Sequence, residues 1–192
     1  MRTLIVTEFI SLDGVMQAPG GEPGYAHTGW VGESFTDELG AYKGEEQLAT
    51  ETLVLGRITY EGFKGAWPDR EGEMADKINT MDKYVVSTTL EQSATEDDPR
   101  WTNTNVVRSI DDIAALKAGD GGDIIVVGSR TLAQSLLVAG HVDELHLQVF
   151  PVLLGSGERL FPTDNPAKLN LELTGSKRLD NGVMLQEYAV GA

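Results

Sequence analysis

The apolar residues of this chain fall into short β-branched runs separated by amphipathic stretches, the alternation of an α/β domain. The clearest unit is Ile124-Ile-Val-Val-Gly-Ser-Arg-Thr-Leu-Ala-Gln-Ser-Leu-Leu-Val-Ala-Gly140. Its first four residues are uninterrupted and apolar, as in a parallel strand covered on both faces. Gly128 allows the backbone to approach a ligand, and Ser129 is placed to cap a helix. Leu132, Leu136 and Leu137 then share one helical face, and Gly140 supplies the stop. Further strands are predicted over residues 4–10, 53–55, 83–88, 105–108 and 144–151. Two alternating runs around Asp180-Asn-Gly182 predict a closing hairpin. Phe35, Leu39, Tyr42 and Leu48 predict a helix over 33–50, interrupted at Gly40 or Gly44. Ser109-Ile-Asp-Asp112 opens another as a capping box, running to Gly119. The Gly/Pro-rich segment 14–29 reads as a long loop of the kind that often forms a lid, and the acidic piece 95–99 as a second loop. The sum is a single domain over 1–192 with a mixed, mostly parallel sheet flanked by helices and an antiparallel C-terminal end.

Thr52-Leu-Val-Leu-Gly-Arg-Ile-Thr-Tyr60 repeats the motif of strand, glycine, arginine and hydroxyl residue. A cation at a helix N-terminus opposes the macrodipole, yet Arg57 and Arg130 both stand there in a chain with only 15 Lys and Arg residues. Each arginine alone can equally face solvent or pair with a carboxylate. Two such turns together favour a shared anionic ligand, with backbone N–H groups aimed at phosphate.

Composition narrows the ligand. Thirty acidic against 15 basic residues give a formal net charge of −15, which disfavours nucleic acid and anionic membranes as partners. There is no cysteine, so disulfides, thiolate metal sites and cysteine nucleophiles are excluded. His27, His141 and His146 lack metal-ligand spacing, and no metal site is expected. Ser156 lacks a nucleophile elbow, and neither a Rossmann fingerprint nor a P-loop occurs. The N-terminus is interrupted too soon by charge to be a signal peptide, and no apolar run reaches membrane length, so a cytoplasmic protein is expected.

Six ordered blocks carry a more specific likeness: Ser11-Leu-Asp-Gly14; Leu53-Val-Leu-Gly-Arg-Ile-Thr59; the strand ending at Ser87; Val127-Gly-Ser-Arg-Thr-Leu132; Leu136-Leu-Val-Ala-Gly-His-Val-Asp-Glu144; and Pro151-Val-Leu-Leu-Gly-Ser-Gly157, ending at Phe161-Pro162. Through them the chain resembles the dihydrofolate-reductase-like family, and within it the reductase domain of riboflavin biosynthesis, as a stand-alone member. The resemblance implies NADPH as cofactor. It places Gly56, Arg57 and Thr59 along the phosphates, Ser87 and Thr88 near the adenosine 2′-phosphate, and Gly128, Ser129, Arg130, Thr131 and Leu132 around the pyrophosphate. It makes residues from Asp13 to Met16 and the loop beyond a segment that closes over nicotinamide, with Trp30 at its far end, so that Met16, Trp30 and Gly155 would meet the substrate. Two positions depart from the pattern. Phe35 stands where dihydrofolate reductases carry a pterin-binding carboxylate, with Asp37 and Glu38 the nearest acids. Gly128-Ser129 replaces a Gly-Gly pair, which leans toward the riboflavin branch.

The expected function is therefore NADPH-dependent reduction of a heterocyclic or ribosylaminopyrimidine-like small molecule, such as 5-amino-6-(5-phosphoribosylamino)uracil. Proximity and exclusion of water would supply most of the rate. Asp37 is the expected proton donor, Asp13 its reserve and bulk water through the loop a third source. The alternatives are a nucleotide-binding homodimer that has lost catalysis, or a dihydrofolate reductase. Riboflavin-type relatives associate through the side of the sheet formed here by 142–150 and the final hairpin. A homodimer is expected there, with Leu145, Leu147 and Val149 on one face and His146 and Gln148 offering polar contacts on the other.

Overall fold

A computed structural model describes residues 1–161 and 168–191; Pro162, at the end of the last sequence block, lies outside them. Eight strands form one sheet in the order β4-β3-β2-β5-β1-β6-β8-β7: β1 (Leu4–Ser11), β2 (Thr52–Gly56), β3 (Asp82–Val86), β4 (Thr104–Val107), β5 (Ile124–Val126), β6 (Glu144–Phe150), β7 (Leu171–Arg178) and β8 (Met184–Val190). The first six in that spatial order run parallel, and β8 and β7 close the sheet antiparallel. The predicted α/β class, mixed sheet and C-terminal hairpin are all present.

Side-chain alternation sorts the core into layers. Leu4, Val6, Val54 and Val126 pack with Ile113 of α4 (Ile110–Ala118) and with Leu132, Leu136 and Leu137 of α5 (Arg130–Val138). Leu53, Leu55, Val85 and Ile125 face the other way, onto Tyr60 of α2 (Arg57–Ala66) and Ile78 of α3 (Glu73–Thr80). On that second face, α1 (Asp37–Ala49) brings Leu39 against Phe150 and Leu185. Local signals explain the ends. Ser109 and Asp112 form the full capping box of α4, and α5 stops at Gly140 (φ +72°) with Gly140 N–H donating to Leu137 O and His141 N–H to Leu136 O. Those two bonds define a Schellman turn. Ser129 occupies the N-cap position of α5 but makes no side-chain capping bond, contrary to expectation. No helix among the described residues is long and apolar enough to cross a membrane.

Helix α1 differs most from its sequence pattern. It starts at Asp37, capped by Thr36, and runs unbroken through Gly40 and Gly44; only a 3-10 turn over Gly32–Ser34 precedes it. Phe35 and Leu48, two of the residues that predicted it, are exposed. The inward face is Leu39, Lys43, Glu46 and Gln47. Lys43 Nζ donates to Thr7 Oγ1 at 2.7 Å and to Glu46. Glu46 also meets His146 Nδ1 at 2.8 Å, whose Nε2 lies 3.1 Å from Glu144. Both ring nitrogens therefore face carboxylates, which only accept, so the imidazolium is the form that satisfies both. Burial opposes that charge, but the two carboxylates outweigh it and raise the His146 pKa. Burial likewise works against ionised Glu46, yet Lys43 and His146 bring its pKa to about 2.

This network corrects the expectation for β6. His146 and Gln148 are not polar contacts for a partner: both are buried under α1, Gln148 with no exposed surface and its amide donating to Thr7. Leu145 and Leu147 belong to the core of the opposite face. What remains uncovered is further out, on the edge strand β7, where Leu171 and Leu173 are exposed and pair with Val190 and Tyr188 of β8.

The buried cluster predicts a severe phenotype. Glu46→Ala leaves the buried Lys43 ammonium without its counter-ion and the His146 imidazolium with Glu144 alone, and removing one partner of a buried pair costs about 3–5 kcal/mol. Thermal denaturation near neutral pH should show a fall of roughly 6–20 °C, at about 2–4 °C per kcal/mol for a chain of this size. A shift of under 2 °C would show that the cluster is solvated rather than buried.

Candidate functional site

The two strand–glycine turns meet. β2 ends at Gly56, β5 feeds Gly128, and the Gly56 N–H donates to Gly128 O at 3.3 Å. Each glycine is filled by the hydroxyl residue of the other turn. A side chain on Gly56 would overlap Ser129 Oγ, and one on Gly128 would sit 2.6 Å from Thr59 Oγ1. Gly128 also has φ +56°, which favours glycine in its own right. The interlock brings the first turns of α2 and α5 to one place, at the C-terminal ends of neighbouring parallel strands. Open α/β sheets bind ligands in such crevices.

Both helices open without a side-chain cap and without an acidic residue in the first turn, and each begins with an arginine. Arg57 pairs with Glu61 at 2.8 Å, and Arg130 pairs with Glu158. Both arginines thus take the carboxylate partners that the sequence left open. All four side chains are partly exposed, and such pairs contribute only about 0.2–1 kcal/mol. A phosphate can displace them. Thr131 is exposed beside Arg130, whereas the Leu132 side chain lies in the core, so Leu132 can offer a ligand only its backbone.

Ser87 ends the sheet beyond β3, and its Oγ accepts the N–H groups of Thr89 and Leu90 at 3.2 and 3.0 Å. Thr88 is exposed next to it. The pairing of Val86 with Val107 places Arg108 alongside, where its Nη1 donates to Ser87 O and Leu90 O at 2.9 and 2.8 Å. Sequence reasoning passed over Arg108, a half-exposed cation at the rim of this turn. The signal was the parallel pairing of two short strands, which sets 87 and 108 side by side.

On the other side of the mouth, segment 14–29 is tied down at its start. Val15 bridges to Arg159, Met16 N–H donates to Glu158 O, and Tyr25 OH donates to Ser156 O. Met16 is buried in the core, while Trp30 is half-buried, stands edge-on to Phe150 at 5.3 Å and donates its Nε1–H to Gln17 O. Asp13 Oδ1 accepts from Ser11 Oγ at 2.7 Å and from Leu154 N–H at 3.1 Å, and Oδ2 accepts from Gly155 N–H at 2.9 Å. The Ser11 hydroxyl is the largest influence on the Asp13 carboxyl; burial pulls the other way, but with the Leu154 and Gly155 amides added the pKa falls to about 2. With three protein donors on it, this carboxylate is committed to the loop rather than free to act as the reserve proton donor expected of it. It clasps the loop that carries Gly155. Asp37, at the first position of α1, is exposed.

A groove of about 490 Å³ at the start of β3 and β4 is lined by Asp82, Gln92, Glu96, Asp98, Trp101 and Thr104 among others. Its acidic rim suits no phosphate, and it lies at the end of the sheet opposite the glycine turns. Among the described residues no group of three His, Asp or Glu side chains is placed to hold a metal ion.

Comparison with known proteins gives one answer. The model of the RibD C-terminal domain family matches residues 2–185. The uncharacterised protein YyaP of Bacillus subtilis is 28% identical over 192 residues, covering 97% of this chain and 94% of its own. Among solved structures, a pyrimidine reductase-like protein from Corynebacterium diphtheriae superposes with a TM-score of 0.72 at 15% identity, over 99% of this chain and 92% of that one. Dihydrofolate reductase from Enterococcus faecalis complexed with NADP(H) gives 0.60 at 18% identity, over 99% and 97%. At such identities the structural likeness speaks for the fold, which is dihydrofolate-reductase-like.

The interlock makes a steric prediction. Gly56 has φ −77°, so its own conformation accepts alanine, and the main obstacle is the Ser129 side chain, with the Ser129 amide nitrogen behind it at 3.2 Å. Gly56→Ala should cost about 1–3 kcal/mol by overpacking, and Ser129→Gly in the same chain should recover most of that loss in a double-mutant cycle. Additive effects in thermal melts would mean that the two turns do not touch.

Proposed function

We propose, from the premise that the chain belongs to the RibD C-terminal domain family, that it is an NADPH-dependent reductase of a heterocyclic or ribosylaminopyrimidine-like small molecule, 5-amino-6-(5-phosphoribosylamino)uracil being the model substrate. The observation that carries this reading is the pair of locked glycine turns, which aim two uncapped, arginine-led helix N-termini at one mouth. Two arginine-led helix N-termini at one place, in a chain of net charge −15 and paired only with exposed carboxylates, suit an anionic ligand such as a dinucleotide pyrophosphate.

Arg57, Thr59 and Ser129 to Leu132 would hold the phosphates, with Gly56 and Gly128 leaving them room to approach, and Ser87, Thr88 and Arg108 would hold the 2′-phosphate. When bound, the cofactor would supply a hydride to an electrophilic carbon. The chain's own part is to orient and to exclude water: Trp30 and Phe150 make an apolar wall, Asp13 fixes the loop bearing Gly155, and Met16 and Trp30 would border the substrate. The proton for the substrate heteroatom would come from Asp37 at the mouth or from water. One observation favours a second reading, a nucleotide-binding protein without turnover: Asp37 is open to solvent rather than held toward a cleft.

The cofactor assignment predicts affinity. NADPH should bind at least about tenfold more tightly than NADH in tryptophan-fluorescence titrations, because a charge-assisted hydrogen bond contributes about 1.5–3 kcal/mol. Arg57→Ala and Arg108→Ala should each weaken NADPH binding, Arg57→Ala with the melting temperature within a few degrees of the parent. Equal affinities for the two dinucleotides would remove the phosphate argument. Consumption of NADPH with a pyrimidine substrate separates the enzyme from the binding protein.

The uncovered apolar strip on the hairpin supports a homodimer. Leu173 is 55% exposed and Leu171 40% exposed, with Tyr188 and Val190 inside them on the same face. Sedimentation at micromolar concentration should show a dimer, and Leu173→Asp should shift it toward monomer. A monomeric parent contradicts this assembly.

A further inference from the structure

One residue of the central strand is out of place. Along β1, Leu4, Val6 and Ile10 point into the core shared with α5, and the same alternation puts Glu8 among them. Glu8 is 6% exposed, and its register partner on β6 is Leu147. The side chains of this face include Val126 of β5, Leu147 of β6 and Leu132 of α5, none of them charged. The charged groups that act on Glu8 are Lys43 and Glu46 of α1, which are paired with each other. An acid in such a setting needs a reason.

Its one hydrogen bond among the described residues supplies it. Glu8 Oε1 accepts the N–H of Gly128 at 2.9 Å, so the carboxyl anchors the turn on which the site depends. This also spends the Gly128 N–H inside the protein and leaves phosphate binding there to the residues after it. The second oxygen of the same carboxyl is necessarily close to Gly128, and no protein group among the described residues bonds to it. Burial of a carboxylate with a single N–H partner favours the neutral acid. Here burial dominates, the Gly128 N–H and Lys43 opposing it and Glu46 adding to it, and the pKa rises to about 8. The acid carries a hydroxyl donor that the apolar residues around it cannot accept. Among the described residues no acceptor meets it, so the acceptor is water or a bound ligand.

We propose that Glu8 is a binding residue of the dinucleotide site, fixing the Gly128 turn through one carboxyl oxygen and donating the hydroxyl of the other to an acceptor on the bound dinucleotide. The proposal rests on the dinucleotide reading above and deepens it. Binding is then linked to one proton: the bound form requires the acid, and ionising Glu8 withdraws the donor and sets a buried negative charge near an anionic ligand.

The test is NADPH affinity by fluorescence titration from pH 6 to pH 10, for the parent, Glu8→Gln and Glu8→Leu, with thermal melts of each without ligand. The parent should bind with constant affinity at low pH and lose about tenfold per pH unit above about pH 8, the slope of one linked proton. Glu8→Gln keeps both an acceptor for Gly128 and a donor for the ligand, so it should bind within a few-fold of the parent at pH 7 and show no such decline. Glu8→Leu should bind at least tenfold more weakly. Parallel pH profiles for the parent and Glu8→Gln overturn the proposal, as does parent-like binding by Glu8→Leu; if Glu8→Leu does not fold, the Glu8→Gln comparison decides. Failure of the parent to bind NADPH at any pH overturns instead the dinucleotide reading on which the proposal stands.

Discussion

The arrangement depends on the contact between Gly56 and Gly128. Two parallel strands, β2 and β5, end side by side, and each passes into a helix through a glycine whose missing side chain is replaced by a hydroxyl residue from its neighbour. Any Cβ at either position drives the turns apart, and the first turns of α2 and α5 would then diverge. Close packing gives the interior little room to absorb such a change. The buried Glu8 carboxyl anchors the same crossing from below through the Gly128 amide, so the geometry of the mouth is set by the core.

A second constraint is electrostatic. Helix α1 lies on the sheet through Lys43, Glu46, Thr7, His146 and Gln148 as well as through Leu39. Such a network stabilises only when every member is present, and it fixes one position of the helix more sharply than apolar contacts do. That position matters because Phe35, just before α1, stands against Phe9 of the aromatic group of Phe9, Trp30 and Phe150. The polar underside of α1 thus helps to shape the side of the mouth assigned to substrate.

Much of this was legible in the chain. Ile124 to Val127 with Gly128, and Leu53 to Leu55 with Gly56, announce buried strands leading to glycine turns because apolar β-branched runs and glycine are local signals. The same holds for the Ser109 capping box, the Gly140 stop and the Asp180-Asn-Gly182 hairpin. What escaped is what depends on partners distant in sequence. Nothing in the pattern of Phe35, Leu39, Tyr42 and Leu48 points to Lys43, Glu46 and Gln47, since periodicity recognises burial only when it is apolar. Gln148 and His146 read as an interface for the same reason. Arg108 becomes part of the site only through the register of β3 and β4, and Glu8 reads merely as a charge interrupting a strand. Asp13 was recognisable as a site residue, but its clasp on Leu154 and Gly155 requires a loop more than a hundred residues away.

The central claim is that the two glycine turns and the Ser87–Arg108 rim together form a dinucleotide site. A crystal structure of the protein with NADP(H) tests it most directly. The account predicts the pyrophosphate between the first turns of α2 and α5, and the 2′-phosphate within hydrogen-bonding distance of Ser87, Thr88 or Arg108. A dinucleotide bound in the acidic groove near Trp101, or anywhere that leaves both turns empty, would contradict it.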